Sequence, residues 1–394
     1  MQYRADLKSG NELSALGLGT MRFPRGINMR IDFAKSEKLV VSAVEKGVNF
    51  FDTAYAYGGS EQVLGSILYK NSLREKVYIA TKLPFNRCND YGDFDKFFSE
   101  QLKRLKTDYI DYYLIHNIST AVQWETLAGM GIEAWINEKK TGGKIGRIGF
   151  SFHGAQSEFL LLLDAYDWDF CYIQYNYLNE NYQAGIKGLK AANKKGLPVI
   201  IMEPLLGGRL ATGLPKKAKR IFNQANRSIS HAAWALRWLW NQPEVTVVLS
   251  GMSNEEQLAD NIKTAEIITP GSMNKTETDV YKPVIAAFKE AYKIDCTGCN
   301  YCMPCQMGIN IPECFAAYNA TYAVGFISGM TQYVTSTGVN RRENNHSGKN
   351  CNKCGVCEPN CPQNINIIKS LEKITKKMEP FWFKTALKII SKFI

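Results

Sequence analysis

Between residues 14 and 266, short apolar runs alternate eight times with amphipathic stretches, and no other feature of this 394-residue chain restricts its fold so strongly. The runs at 14–21, 48–52, 77–82, 109–116, 147–151, 170–176, 198–204 and 245–250 have the length and β-branched or aromatic content of buried strands. The stretches at 32–47, 61–69, 94–105, 125–140, 157–166, 182–195, 230–240 and 255–266 have helical spacing; in the first, Asp32 stands where a helix cap belongs and Gly47 where a helix stops. Eight strand-helix units repeating every ~25–40 residues predict an α/β fold, a closed (β/α)8 TIM barrel.

Such barrels carry their chemistry where the strands run out, and here those positions are polar. Asp52, Lys82, His116, Ser151, Gln174 with Asn176, Glu203 and Ser250 end seven successive strands. A single histidine or lysine at a strand end is more often a satisfied surface residue than a functional one. Seven at equivalent positions argue for convergence on one mouth. The stretch 49–59, Asn-Phe-Phe-Asp-Thr-Ala-Tyr-Ala-Tyr-Gly-Gly, adds Tyr57 one loop turn beyond Asp52.

Asp52, Tyr57, Lys82 and His116, in the settings Phe-Asp-Thr-Ala-Tyr-Ala-Tyr-Gly, Ala-Thr-Lys-Leu and Leu-Ile-His-Asn, resemble the catalytic tetrad of the aldo-keto reductases, and the resemblance extends over residues 1 to about 270. It implies reduction of a carbonyl, or oxidation of an alcohol, by hydride exchange with NADP or NAD. Tyr57 would be the acid and base, Lys82 the ammonium that favours its phenolate, Asp52 the carboxylate that keeps Lys82 charged, and His116 the donor that places the carbonyl oxygen. The same resemblance assigns Thr20, Met21, Ser151, Gln174 and the ring of Tyr175 to the nicotinamide and its ribose. It assigns the loops at 205–209 (Leu205, Gly207, Arg209) and 250–254 (Ser250, Gly251, Ser253), with Asn261, to the phosphates, for which glycine backbones and helix N-termini are natural seats. Two features depart from the family pattern. Gly251, Met252 and Gln257 stand where many members place the cations that clamp a 2′-phosphate, leaving Arg209 and Ser253. His153, just past the fifth strand, either approaches the substrate or caps the next helix.

Beyond residue 290 the chain changes character. Of its 11 cysteines, Cys88 and Cys171 are isolated and read as small buried hydrophobes, whereas nine lie between Cys296 and Cys361. The run Cys351-x2-Cys354-x2-Cys357-x3-Cys361-Pro362 resembles the bacterial ferredoxin motif for a [4Fe-4S] cluster, and Cys296-x2-Cys299-x2-Cys302-x2-Cys305 is the same motif one residue shorter. A zinc ribbon is the competing reading of paired Cys-x2-Cys, but zinc takes four sulfurs whereas two clusters use eight. In two-cluster ferredoxins the fourth cysteine of each run serves the other cluster. Carried over, one set is Cys296, Cys299, Cys302 and Cys361, the other Cys351, Cys354, Cys357 and Cys305, with Cys314 surplus or a replacement for Cys305. Residues 312–330, rich in Ala, Tyr and Phe, predict a mainly α-helical ferredoxin-like domain. The whole pattern resembles the ferredoxin-bearing aldo-keto reductases of anaerobes.

Three segments are therefore expected: the barrel at 1–280, the ferredoxin-type domain at 281–370 and a basic amphipathic helix at 371–394. In the last, Phe383, Leu387, Ile390 and Ile394 recur at helical spacing; seven lysines against two glutamates follow from Lys369 on. That tail either docks on the fold or touches an anionic membrane or an acidic redox partner. The net charge of +11 lacks the aromatic-interleaved basic runs of nucleic-acid binders. With no signal-peptide-like start and no run of eighteen apolar residues, the chain is expected in the cytoplasm. Nicotinamide moves two electrons at once and each cluster one, so the clusters either relay electrons to an external ferredoxin or flavoprotein or only staple the domain. The alternative to an enzyme is a non-catalytic, nicotinamide-binding redox sensor, a role that potassium-channel beta subunits show for this barrel.

Overall fold

The computed structural model describes residues 1–26, 28, 30–323, 325–339 and 345–380. In chain order the elements of its first half are β1 (Tyr3–Ala5), β2 (Glu12–Ser14), β3 (Leu16–Gly19), α1 (Phe33–Glu45), β4 (Phe50–Asp52), α2 (Ser60–Lys70), β5 (Tyr78–Leu83), α3 (Tyr91–Leu105), β6 (Ile110–Ile118), α4 (Ala121–Gly129), α5 (Ile132–Thr141) and β7 (Ile145–Phe152). There follow α6 (Gln156–Ala165), β8 (Phe170–Gln174), α7 (Gly185–Lys194), β9 (Val199–Met202), α8 (Lys216–Ala225), α9 (His231–Trp240), β10 (Val245–Ser250) and α10 (Glu255–Ile267). Five helices complete the chain: α11 (Lys275–Asp279), α12 (Tyr281–Ala291), α13 (Ile311–Ala323), α14 (Phe326–Thr337) and α15 (Ile367–Met378). They form two compact units, Met1–Leu205 with Ala232–Thr278, and Leu206–His231 with the described residues from Asp279 onward.

The first unit is the closed barrel. Strands β3 to β10 pair in parallel in sequence order, and β10 closes on β3 through Val248 opposite Leu16 and Ser250 opposite Leu18. Period-two alternation divides each strand: on β6, Tyr112 and Leu114 point inward while Tyr113 and Ile115 face the helices. The interior is filled by Phe50, Tyr112, Phe170 and Tyr172 among aliphatic side chains, with Tyr112 edge-on to Phe50 and Phe170 at centroid distances of 5.2 and 5.1 Å. Each such pair contributes ~0.5–1.5 kcal/mol beyond area burial. The barrel interior is thus filled by side chains. The hairpin β1–β2, too short to read from sequence, closes the opposite end: Leu13 enters the interior and the Tyr112 hydroxyl donates to Asp6 Oδ2 at 2.8 Å.

Asp32 caps α1 as expected, accepting from the Lys35 amide. The stretch expected as one helix at 125–140 is two, α4 and α5, because Gly131 takes a left-handed φ of 89° between them.

The second unit has its own core, built from Phe315, Tyr318 and Ile311 of α13, Tyr333 of α14, and Ile367, Leu371, Ile374 and Met378 of α15. It is helical, as the composition of 312–330 implied. It also includes α8, which packs on α12. Helix α15 buries Ile367, Leu371, Ile374 and Met378 along one face. The predicted apolar stripe from Phe383 to Ile394 lies outside the described residues. Among the described residues no helix is long and apolar enough to cross a membrane.

Candidate active site and cysteine-rich domain

The parallel register sets the rim. Asp52 ends β4 opposite Ala80 of β5, and Lys82 stands two residues further along β5, opposite Leu114 of β6. The Lys82 ammonium therefore reaches back to donate to Asp52 Oδ1 at 2.5 Å and to the Thr53 carbonyl at 2.6 Å. Gly58 and Gly59, at φ 23° and 85°, turn the loop after β4 so that Tyr57 folds over this pair. Lys82 Nζ lies 4.8 Å from the centre of the Tyr57 ring, and His116 meets that ring edge-on at 6.0 Å. The structure thus brings all four residues of the expected tetrad together.

Lys82 and Asp52 are 2 % and 4 % exposed. Burial pulls the Lys82 ammonium below its ordinary range, with the Asp52 charge opposing, and raises the Asp52 carboxyl, with Lys82 opposing. A lysine so placed gives up its proton more readily than one in water. Burial, then the charge of Lys82, holds His116 well below the usual histidine range, so at neutral pH it is an uncharged imidazole with one N–H to donate.

Supporting residues that the strand pattern did not reveal fix these positions. Gln101 of α3 donates to the Lys82 carbonyl at 3.0 Å and to Glu61 Oε1 at 2.8 Å; Glu61, 1 % exposed, accepts from Thr81 at 2.7 Å and pairs with Arg104 at 3.1 Å. The β6–β7 register slips between Ile115 and Ile118, and Asn117 sits at φ 60°. This bulge re-aims His116, and Ser151 stabilises it by accepting from the Asn117 amide at 2.7 Å.

The residues assigned to the cofactor divide. Ser151, Gln174 and Ser250 occupy the ends of β7, β8 and β10, while Met21 lies in the turn after β3 and Leu205 follows β9. Thr20 is fully buried and donates to the Asp52 carbonyl at 2.9 Å, so its hydroxyl ties β3 to β4. Tyr175 is a correction: the alternation of β8 turns it outward, where its fully buried ring packs on Trp238 at 5.0 Å and its hydroxyl donates to Gln242, leaving no face for a nicotinamide. Asn261 donates to the Ser250 hydroxyl at 2.9 Å, and Ser253 is bonded to Gln257. Arg22, overlooked in the sequence, runs its side chain along Gly251, where a Cβ would stand 3.2 Å from that of Arg22. Gly207 and Arg209 belong to the second unit, where the Arg209 guanidinium donates to Asp295 and to the Cys296 carbonyl.

His153 does not cap α6, whose preceding residue is Ala155. The neighbouring Gly154 allows a close approach to Ser119, whose carbonyl a Cβ would meet at 1.9 Å. His153 instead adds to the electrostatic environment of His116, and burial pushes its own imidazole down to about 4. The unfolded chain takes up a proton near pH 6.5 that folded His153 refuses until about 4, so this residue costs stability as pH falls through that window. Wild-type protein should therefore lose more apparent melting temperature between pH 6.5 and 4.5 than His153→Gln; parallel losses would contradict this placement.

In the second unit the two cysteine runs adopt the same backbone turn. Gly298 and Asn300 take φ 68° and 65° at the third and fifth positions of the first run; Lys353 and Gly355 take 62° and 79° at the same positions of the second. Left-handed residues at those points turn successive amides inward, as anion-binding nests do, and the Gly298 amide lies 3.4 Å from Cys296 Sγ. The Cys302 thiol, pushed up to about 12 by burial, feels the charges of Cys296, Cys299 and Cys361; Cys357 is raised by burial and feels Cys305 and Cys351. A cavity of about 250 Å³ is lined by Cys302, Cys305, Cys351, Cys354 and Cys357. Cys314 is buried within α13. Among the described residues no three Cys, His, Asp or Glu side chains converge on a single-ion site; it is the donor type, soft thiols in two runs of amide-lined turns, that fits iron–sulfur ligation.

The model of the aldo/keto reductase family matches residues 15–276. The chain belongs to the aldo/keto reductase family. A 4Fe-4S dicluster domain matches residues 295–366, so the barrel is followed by a ferredoxin-type domain. An uncharacterized oxidoreductase of Bacillus subtilis, YrpG, is 28% identical over 74% of this chain and 99% of its own length. A probable voltage-gated potassium channel subunit beta of rice (Oryza sativa subsp. japonica) is 26% identical over 71% of this chain and 97% of its own. Among solved structures, an aldo-keto reductase from Klebsiella pneumoniae in complex with NADPH superposes with a TM-score of 0.59 at 23% identity, covering 72% of this chain and 95% of that one. The protein is an oxidoreductase by family, and its barrel has the fold of that neighbour.

Proposed function

We propose that the barrel rim exchanges hydride between NADPH or NADH and a small carbonyl or alcohol substrate. The observation that carries this reading is the placement of Lys82 Nζ, held by Asp52 and the Thr53 carbonyl and facing the Tyr57 ring. Bound nicotinamide supplies the hydride. Tyr57 then delivers the proton to the nascent alkoxide, Lys82 stabilises the phenolate left behind, and neutral His116 donates the hydrogen bond that orients the carbonyl oxygen. Met21, Ser151 and Gln174 line the nicotinamide end. Leu205, Ser250 and Gly251 offer backbone to the phosphates, with Arg22 as the cation beside Gly251.

In the second unit, Cys296, Cys299, Cys302 and Cys361 hold one [4Fe-4S] cluster and Cys351, Cys354, Cys357 and Cys305 the other. The cavity that brings Cys305 to Cys351, Cys354 and Cys357 supports this crossed arrangement. Cys354 is exposed, so the second set is the one from which electrons would pass to an external ferredoxin or flavoprotein.

Turnover of an aldehyde panel by anaerobically prepared protein tests the enzyme reading; intact nicotinamide binding without turnover would favour the sensor reading. The first turn of α10 carries Glu255, paired with Lys38, and Glu256, and Gly251 replaces a cation, so a 2′-phosphate gains little there. The kcat/KM values for NADPH and NADH should accordingly lie within about tenfold, or ~1.4 kcal/mol, of each other. Arg22→Ala should weaken both cofactors alike if it serves the diphosphate. Selective loss of NADPH would place Arg22 on the 2′-phosphate instead.

A further inference from the structure

Arg209 stands out among the residues that the barrel chemistry does not use. Leu206, Gly207 and Gly208 all take left-handed φ values, 45°, 65° and 96°, and the Arg209 amide closes the turn on the Leu206 carbonyl at 3.2 Å. Leu206 is the non-glycine residue in that region, where L side chains are disfavoured. The turn delivers a guanidinium that is 8 % exposed. It donates to the main-chain carbonyl of Cys296, the first cysteine of the first run, and to Asp295 Oδ1 at 3.3 Å. Its other face lies 4.8 Å from the centre of the Tyr292 ring, and the Tyr292 hydroxyl donates to the Gly213 carbonyl, tying the same loop down a second time. All these contacts lie within the second unit. The guanidinium fork is fully directed at the start of the cysteine run.

We propose that Arg209 is a positioning residue for the cluster held by Cys296, Cys299, Cys302 and Cys361, fixing the main chain at Cys296 and setting a permanent positive charge beside that cluster. This rests on the two-cluster reading above. Reduction adds one negative charge to a cluster, and a nearby buried cation stabilises the reduced form more than the oxidised one, raising the reduction potential. Asp295 offsets little of this, because its side chain is 75% exposed and its charge is screened by solvent. The second set lies near Lys353, which is exposed and already paired with Glu372 at 2.7 Å, a weak influence by comparison. The two clusters are therefore electrically unequal. The one braced by Arg209 is the better electron acceptor, and the one that includes exposed Cys354 is the better donor to a partner.

The test is an EPR-monitored redox titration of anaerobically purified full-length protein. Wild type should show two midpoints. Arg209→Met should lower the higher one and leave the other in place, Arg209→Lys should shift it less, and Asp295→Asn should leave both close to their wild-type values. Should Arg209→Met fail to retain iron, Arg209→Gln decides, since it keeps an N–H donor for the Cys296 carbonyl but carries no charge; an unchanged higher midpoint there overturns the proposal. Unchanged midpoints in Arg209→Met together with weakened NADPH binding, followed by nicotinamide fluorescence, would return Arg209 to a phosphate contact and overturn it equally. Wild-type protein with a single cluster by iron content and EPR would instead defeat the two-cluster reading on which it stands.

Discussion

Tyr57→Phe is expected to lower kcat for aldehyde reduction by ~10²–10⁴ while nicotinamide binding survives, because general acid catalysis is worth that much and the phenyl ring keeps the packing of the phenol. The geometry makes this the cleanest variant of the four. Removing Lys82 would leave Asp52 buried and unpaired, and breaking a buried pair from one side costs ~3–5 kcal/mol of folding stability, so a loss of activity there would mix chemistry with unfolding. His116 is uncharged at neutral pH and meets the Tyr57 ring edge-on, so its replacement removes packing around Tyr57 as well as a hydrogen-bond donor. Tyr57 is half-buried in a loop, with its ring edge against His116 and its face toward Lys82, and the hydroxyl is the only group that phenylalanine lacks. Steady-state kinetics alongside fluorescence titration with NADPH would measure both quantities. A loss of less than tenfold would mean that the proton comes from elsewhere, and His153, which shares the electrostatic environment of His116, would be the first residue to examine.

The barrel was legible because its signal is local and repeated: each strand has apolar residues on both faces, as parallel strands covered by helices must. The tetrad was legible because it lies at strand ends or one turn beyond. What escaped was set by non-local geometry. The strands of the β1–β2 hairpin are three residues each, below the length at which alternation shows. Helix α8 is mostly polar, with only Ala218 and Phe222 buried, and packs on α12, some sixty residues further along the chain, so neither its existence nor its partner could be inferred from neighbouring sequence. Tyr175 was assigned to the cofactor although it is adjacent to inward-pointing Gln174; alternation alone puts the two on opposite faces. Arg209 lies in a loop that resembles a phosphate seat, and only the fold shows its side chain committed to Cys296. The Gln101–Glu61 support of Lys82 links α3 and α2, which have no sequence motif in common.

Cys361→Ala tests the crossing of the cysteine runs, a relation carried over from two-cluster ferredoxins. If each run served a single cluster, Cys361 would act with Cys351, Cys354 and Cys357. Cys305 of the first run, however, lines one cavity with Cys351, Cys354 and Cys357 of the second, as crossed sets require. Removing Cys361 should therefore strip the cluster of the first run, lowering iron from about eight to about four per chain and leaving the other cluster's EPR signal unchanged. Pairing variants makes the assignment decisive. Cys361→Ala with Cys299→Ala touches one cluster twice and should retain about four irons, whereas Cys361→Ala with Cys354→Ala touches both and should retain almost none. The opposite pattern would mean uncrossed runs. The same measurement bears on Cys314, buried in α13: Cys305→Ala should cost as much iron as Cys354→Ala if Cys305 is the ligand, and Cys314→Ala should cost none.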